Sequence, residues 1–270
     1  MDEEVLAGGV GNAGAVVRVG DHVLRPASGY SHAIHGLLGH LHDRGFGAVP
    51  KVVGIDPDGR ERLVFIPGDV PVLPFPDWSL TDGALASTAS LLRRYHDAVA
   101  EFAPPVGAVW STEMADPTPG PHPVLCHNDV CPENVVFRDG VAVALLDFEF
   151  ASPGRRSWDL AALASMCIPL DTREDAARTG RAHLDPFARL GAVAEGYGLD
   201  GPGRTELITA IAERFADAGA FVRRRVEAGE PAFIAMWDAM GGQERYDRRR
   251  DWFEDQRTAF AAALGIPAQR

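Results

Sequence analysis

Residues 127–134 read His-Asn-Asp-Val-Cys-Pro-Glu-Asn, and Asp147 follows thirteen residues after the last of them. In such an arrangement Asp129 can orient a hydroxyl nucleophile, while Asn134 and Asp147 can bind the magnesium ion that neutralises ATP phosphates. These three oxygen-bearing side chains therefore predict transfer of a phosphoryl group to a hydroxyl. His127 has a weaker claim to chemistry, and we expect its ring to pack under the loop as a structural residue.

The segment between Asn134 and Asp147 has the pattern of a β-hairpin. Residues 135–137 and 141–146 are apolar and β-branched, and an Asp-Gly turn at 139–140 separates them. Asp-Gly between apolar runs is a strong hairpin signal because glycine tolerates a positive φ. A hairpin returns the chain to its start, so we expect Asp129 and Asp147 to lie close together.

A glycine-rich segment stands near the N-terminus, between two predicted strands. Residues 8–14 read Gly-Gly-Val-Gly-Asn-Ala-Gly. Glycines let backbone N–H groups approach phosphates without interference from a Cβ atom, although many ordinary turns are also rich in glycine. The segment does not open a helix, so it fits neither a Rossmann nor a P-loop site. The candidate phosphate-binding residues here are Gly8, Gly9, Gly11 and Asn12.

The remaining pattern divides the chain into a β-rich part and a helical part. Residues 1–66 predict several short strands and one helix at 30–43, and the proline-rich stretch at 67–76 punctuates the chain. Later apolar periodicities predict helices at 80–102, 158–166, 184–197, 205–228, 231–240 and 244–264. We predict an α+β fold whose parts are residues 1–68 and 69–270.

Composition narrows the function classes. The net charge of −12 argues against a nucleic-acid partner, and it favours either a cationic substrate or simple solubility. No apolar run has the roughly eighteen residues of a membrane helix. The acidic start lacks the apolar region of a secretion signal, and three cysteines without metal-ligand spacing fit a reducing cytoplasm. We therefore expect a cytoplasmic protein that binds neither nucleic acid nor membrane.

Residues 127–161 resemble the aminoglycoside phosphotransferase and choline kinase family, a branch of the protein-kinase-like fold. The resemblance lies in the His-x-Asp-x-x-x-x-Asn segment, in Asp-Phe-Glu at 147–149 and in Asp-Leu-Ala at 159–161. It implies a bilobal structure with a small β-rich N-lobe over a larger helical C-lobe. It also implies that ATP and Mg²⁺ bind between the lobes.

The same resemblance assigns expected roles to further residues. Arg25 stands where a strand lysine would hold the α- and β-phosphates, and Phe65 and Ile66 stand at the hinge that pairs with adenine. Glu149 corresponds to an acidic position that contacts a second magnesium or its water, with a surface salt bridge as the alternative. Asp159 should support the catalytic loop, residues 127–134, and capping its own helix is a compatible interpretation.

The helix predicted at 30–43 lacks the glutamate that would pair with the phosphate-binding cation. Its one acid is Asp43, at its end. This departure suggests an altered grip on the nucleotide, a compensating acid elsewhere, or loss of turnover. A sister branch of the family that uses Arg25 routinely is another explanation.

Three function classes stay open. The first is a small-molecule kinase acting on a hydroxyl of a cationic antibiotic or natural-product intermediate, as in antibiotic resistance. The second is a Ser/Thr kinase for a peptide in natural-product biosynthesis, and the third is a nucleotide-binding pseudokinase with an immunity or scaffold role. Acids such as Asp171 and Asp175 are candidates for contacting an amine. Three aromatic residues form either a substrate wall or core anchors: Trp237, Tyr246 and Trp252. The acceptor and the oligomeric state are not predicted.

Overall fold

The computed structural model describes residues 3–6, 14–216 and 219–267 of the 270-residue chain. Within these residues, an antiparallel five-stranded sheet forms the N-terminal part, in the order β1-β2-β3-β5-β4. Its strands are β1 (Glu4–Val5), β2 (Val17–Val19), β3 (His22–Pro26), β4 (Val52–Ile55) and β5 (Arg60–Val64). Strand β3 therefore lies beside β5, although a helix and β4 separate the two in sequence.

That helix, α1 (Ser31–Asp43), joins the sheet to the rest of the molecule. Its apolar residues recur every three or four positions, and Leu37 and Leu41 are completely buried. They belong to one continuous hydrophobic core that also contains Leu92 and Tyr95 from the helical region. Helix α1 is thus fixed by packing to the part of the chain that carries the catalytic loop.

The C-terminal part is mostly helical. Its helices are α2 (Asp82–Ala98), α3 (Arg156–Cys167), α4 (Arg173–Ala177), α5 (Pro186–Tyr197), α6 (Gly201–Ala216), α7 (Ala220–Glu227), α8 (Pro231–Met240) and α9 (Gly242–Ala263). Helices α2 and α5 pack closely, because Gly196 lies against the backbone of Ala86. The predicted combination of a β-rich and a helical part is confirmed. None of the described helices is long and apolar enough to cross a membrane.

Two short strand pairs frame the predicted catalytic segment. The expected hairpin is formed by β7 (Val135–Arg138) and β8 (Val141–Leu145), and Asp139 and Gly140 turn it with φ of 51° and 74°. A second pair was not predicted: β6 (Val124–Cys126) lies antiparallel to β9 (Ser152–Gly154). The catalytic loop follows β6, and the segment after Asp147 leads into β9. Because β6 and β9 are paired, the loop and this segment adjoin the same pair of strands.

Two helix predictions need correction. The single helix expected at 205–228 is wrong, because α6 ends at Ala216 and α7 begins at Ala220. Gly219, which precedes α7, has φ of 85°, a left-handed conformation that an α-helix interior does not accommodate. Helix α2 is shorter than the predicted 80–102, since the Thr81 hydroxyl caps its start and it ends at Ala98.

The segment after β5 is tied directly to the hairpin. The backbone groups of Asp69 and Phe137 exchange two hydrogen bonds, of 2.9 and 2.8 Å. Gly68 has φ of 150°, and a Cβ atom there would meet Val136 and the Phe137 carbonyl. The connection between the sheet and the helices therefore passes over β7. The division of the chain after residue 68 stays a prediction.

Candidate active site

The catalytic loop is held by one buried carboxylate in the first turn of α3. Asp159 is fully buried and accepts hydrogen bonds from the backbone N–H groups of His127 (2.7 Å) and Asn128 (2.8 Å). The His96 ring lies 3.0 Å from the same group. Burial alone would raise the pKa of Asp159, but these contacts hold it below its usual value. The expected structural role of Asp159 is confirmed.

His127 connects the loop to the strand that ends beside the predicted metal site. Its Nε2 atom lies 2.7 Å from the Leu146 carbonyl oxygen, and its Nδ1 atom accepts the backbone N–H of Asp129 at 3.3 Å. The ring packs on Phe148 at 4.5 Å between centroids. Complete burial lowers the pKa of His127. The prediction of a structural histidine is confirmed.

Asn128 takes a left-handed conformation, with φ of 67°, that the surrounding groups fix on every side. Its side chain donates to the Phe150 carbonyl (2.9 Å) and to the Ser152 hydroxyl (2.8 Å). Its own carbonyl accepts a 3.4 Å hydrogen bond from Arg214 on α6. These contacts hold Asn128 in its strained conformation and so constrain the backbone that carries Asp129.

Asp129 and Asn134 meet at the centre of the site. The Asn134 side-chain amide donates to Asp129, both to the backbone oxygen (2.9 Å) and to Oδ2 (2.8 Å). Burial, and then the nearby charge of Asp147, raise the pKa of Asp129 to about 7. The loop and the hairpin therefore bring two carboxylates close enough to repel each other.

Asp147 lies just beyond β8, with φ of 58°. The hydrogen bond from the Leu146 N–H to the Asn134 carbonyl, 2.8 Å long, fixes the backbone before it. Its Oδ1 atom accepts a 2.8 Å hydrogen bond from Nη1 of Arg25, which comes from β3 in the sheet. The structure thus brings Asp129, Asn134, Asp147 and Arg25 together, as the sequence predicted for the loop and the hairpin.

Arg25 has a second acidic partner. It stands directly opposite Glu61 in the β3–β5 register, and its Nε atom donates to Glu61 Oε2 at 2.6 Å. The other oxygen, Oε1, lies 3.0 Å from His35 Nε2 on α1. Burial alone would raise the pKa of Glu61, but contacts with His35 and Ser31 and the charge of Arg25 lower it to about 2. Glu61 is therefore an ionised, buried partner of Arg25.

This geometry answers the question raised by the missing helix glutamate. The acid exists, but it comes from the neighbouring strand β5, and α1 contributes His35 in its place. The sequence carried a signal for Glu61. In a strand, alternate residues share a face, so Glu61 shares the face of buried Leu63. A buried acid in a strand needs a cation, and Arg25 is that cation.

The other predicted nucleotide-binding residues are only partly placed. Phe65 and Ile66 follow β5 and are half-buried. The Phe65 N–H donates to the Asp21 carbonyl, and Arg18 covers its ring at 3.9 Å. Glu149 is half-buried and two residues after Asp147. The roles of these residues stay predictions. The predicted glycine segment, with Gly8, Gly9, Gly11 and Asn12, lies outside the described residues.

Two of the acids considered for an amine substrate have other partners. Asp171 is buried and lies 2.9 Å from Arg245, and Asp175 is buried against Arg248 at 3.0 Å. The three aromatic residues have different ring partners. The rings of Trp237 and Tyr246 stack on each other, and Trp252 packs on Phe260 in the core.

Sequence reasoning also missed Arg214. This arginine contacts the loop carbonyl of Asn128 and lies over the Trp158 ring at 4.7 Å. Burial lowers its pKa, and the charges of Asp159 and Asp129 oppose that effect. Its sequence position, within a predicted amphipathic helix far along the chain, gave no signal that it would reach the loop.

A β-rich lobe, a helical lobe and this loop between them define a protein of the protein-kinase-like fold. The APH phosphotransferase enzyme family model matches residues 68–195. The trifolitoxin immunity protein of Rhizobium leguminosarum bv. trifolii is 32% identical over 273 residues, which cover 98% of this chain and all of that protein. The chain belongs to this phosphotransferase family.

Solved structures share the fold. A choline/ethanolamine kinase family protein from Mesorhizobium loti superposes with a TM-score of 0.63 at 18% identity, covering 98% of this chain and 92% of that one. An amicoumacin kinase, solved with AMP-PNP, Ca²⁺ and its ligand, gives a TM-score of 0.59 at 14% identity, covering 87% and 82%. The predicted bilobal kinase-like fold is confirmed.

Proposed function

We propose that this protein is a cytoplasmic, ATP-dependent phosphotransferase that moves the γ-phosphoryl group to a hydroxyl of a small molecule. The observation that carries the proposal is the meeting of Asp129, Asn134 and Asp147 beside Arg25. Asp129 orients the acceptor hydroxyl. Positioning and charge neutralisation supply most of the rate, because phosphoryl transfer requires little covalent help from the protein.

The donor set fits a magnesium ion. Asn134 uses its amide nitrogen to hold Asp129, so the amide oxygen is the atom left for a cation. Asp147 supplies a carboxylate, and its charge adds to burial in raising the pKa of Asp129. Hard oxygen ligands of this kind suit Mg²⁺. Glu149 is proposed as a further ligand, to a second ion or to its water. When bound, the ion neutralises charge on the phosphates.

The phosphate end of the site is proposed to be Arg25 and the glycine segment. A guanidinium can hold two phosphate oxygens at once. Glu61 holds the Arg25 guanidinium in position through its Nε atom. Arg25 also reaches Asp147, so it stands where phosphates and metal would meet. Phe65 and Ile66 are proposed to contact adenine at the hinge.

The acceptor is proposed to be a toxic natural product, so that phosphorylation protects the cell that makes or meets it. Two relatives support this choice, one named as an immunity protein and the other as an amicoumacin kinase. The pairing of Asp171 and Asp175 with arginines removes two candidate contacts for a cationic aminoglycoside. The acceptor hydroxyl can belong to a small antibiotic or to a Ser or Thr of a peptide toxin.

The test is Mg²⁺-dependent transfer of labelled γ-phosphate to a panel of aminoglycosides, choline-like amines, cyclic peptides and linear peptides. Asp129→Ala should abolish transfer to the active acceptor and leave ATP binding measurable. The matched control is Asp139→Asn, an exposed turn position on the same hairpin whose positive φ asparagine tolerates. Full activity of Asp129→Ala would show that the assignment of Asp129 is wrong.

A second candidate is a nucleotide-binding immunity protein without turnover. One observation favours it, namely that the Arg25 guanidinium occupies an oxygen of Asp147 that a metal would use. Measurement of ATP hydrolysis and of Mg²⁺-dependent nucleotide binding separates the two candidates. Binding without hydrolysis or transfer to any acceptor of the panel would favour the second.

A further inference from the structure

Helix α1 reaches the phosphate-binding arginine through a chain of direct contacts. His35 Nε2 lies 3.0 Å from Glu61, Glu61 lies 2.6 Å from Arg25, and Arg25 lies 2.8 Å from Asp147. The two links made by Arg25 are hydrogen bonds, and in the third the His35 ring nitrogen lies against a Glu61 oxygen. These three contacts therefore connect α1 with Asp147, the predicted metal ligand.

The middle of this chain is sealed from solvent. The Glu61 side chain is 2% exposed, and those of Arg25 and His35 are 15% and 18% exposed. Screening by water is weak at such burial, so the position of each group depends strongly on its neighbours. If Glu61 lost a contact with the protein, water could not take the place of that contact without a cost in free energy.

The face of α1 that meets Glu61 carries two polar residues one turn apart. Ser31 and His35 stand at positions i and i+4, and both contact the Glu61 carboxylate. The apolar face of α1 is packed into the core shared with the helical lobe, through residues such as Leu37 and Leu41. Displacement of α1 would therefore carry His35 with it and leave Glu61 less firmly held.

We propose that His35 is a positioning residue, which fixes Glu61 so that Arg25 is presented to the nucleotide phosphates. This proposal rests on the proposed function for the role of Arg25. It adds that the helix acts on the cation through an imidazole and a strand carboxylate, where the resemblance implied a single helix glutamate. A consequence is that the packing of α1 against the C-lobe controls the phosphate grip.

The test compares His35→Ala with His35→Gln, which keeps an N–H donor at a similar reach. The matched control is His32→Ala, on the exposed face of the same helix. Affinities for Mg·ATP and for adenosine are measured in parallel, because Arg25 faces phosphates and the base lies at the hinge. His35→Ala should weaken ATP binding about tenfold, the scale of losing one polar contact to a charged group, with adenosine unchanged. His35→Gln should recover most of the loss.

A second measurement needs no nucleotide. In protein labelled with ¹⁵N-arginine, the Arg25 Nε–H signal is identified by its loss in Arg25→Lys. Its exchange with water should be slow in the wild type, because it donates to buried Glu61, and faster in His35→Ala. Unchanged exchange, or equal weakening of ATP and adenosine binding, would overturn the proposal. If the wild type bound neither nucleotide, the proposed function would fail, and the exchange rates alone would decide whether His35 positions Arg25.

Discussion

Removing the Arg25 side chain should change the affinities for metal and for nucleotide in opposite directions. Without nucleotide, Arg25 competes with a divalent ion for Asp147, because its guanidinium donates to Oδ1. With nucleotide, the same guanidinium is proposed to hold phosphates. Arg25→Met should therefore tighten binding of a metal probe alone and weaken binding of ATP.

The structure sets the scale of both effects. The Arg25–Asp147 contact is 2.8 Å long, with side chains 15% and 28% exposed. A hydrogen bond to a charged group contributes about 1.5–3 kcal/mol, and this partial exposure places the pair near the lower end. About 1.4 kcal/mol corresponds to a tenfold change in affinity. Mn²⁺ should thus bind about tenfold more tightly to the variant, and ATP about tenfold or more weakly.

The substitution also leaves Glu61 buried without its cation, which would destabilise the sheet for an unrelated reason. Arg25→Met is therefore made in a Glu61→Gln background and compared with Glu61→Gln alone. Mn²⁺ binding without nucleotide is measured by electron paramagnetic resonance, and ATP binding by calorimetry. The matched control is Arg62→Met, since Arg62 lies on β5 but pairs with Asp56, away from the site.

The directions of the changes in Mn²⁺ affinity and in ATP affinity decide the result. If Mn²⁺ binds no more tightly when Arg25 is removed, the guanidinium does not compete for Asp147 in solution. If ATP affinity is unchanged, Arg25 does not hold the phosphates. Either result would contradict the proposed role, and a parallel fall of both affinities would indicate general damage to the site.

Two further predictions concern stability. Because the pKa of Glu61 is lowered from 4.5 to about 2, its stabilising contribution is present above pH 4.5 and is lost as the pH falls toward 2. Between pH 5 and pH 3 the wild type should lose about 2 kcal/mol more unfolding free energy than Glu61→Gln, and equal losses in urea titrations would contradict this. Gly196→Ala should destabilise the protein by about 1–3 kcal/mol, because a Cβ atom would lie 2.5 Å from the Ala86 carbonyl oxygen. Gly191→Ala, in open space on the same helix, is the control, and equal melting temperatures would refute the packing argument.

The centre of the site was predictable because its determinants are local. Asp129 and Asn134 share one loop, and the Asp139-Gly140 turn brings Asp147 back to them through a hairpin of two short strands. Local turn chemistry and side-chain alternation are sufficient for that inference. The loop's support by Asp159 followed from the family resemblance and not from spacing.

The remaining contacts depend on pairings between distant segments. Glu61 meets Arg25 only because β5 inserts beside β3, and 36 residues separate the two in sequence. Arg214 reaches Asn128 across 86 residues, from a helix whose direction is set by packing. The predicted helix at 205–228 was too long because Gly219 alone was weak evidence of a break. Periodicity reports which face of an element is buried, but not which element covers it.

The pairing of Arg25 and Glu61 bears on the choice between an enzyme and a protein that only binds nucleotide. The absence of a helix glutamate was the reason to consider lost turnover. That reason weakens once a buried carboxylate is found 2.6 Å from the arginine, with His35 behind it. Burial of a carboxylate is costly unless a cation accompanies it, so Glu61 and Arg25 are expected to hold each other in place. The Arg25–Glu61 pair therefore weakens the main argument for lost turnover, and a phosphate-transfer screen over candidate acceptors is the decisive experiment.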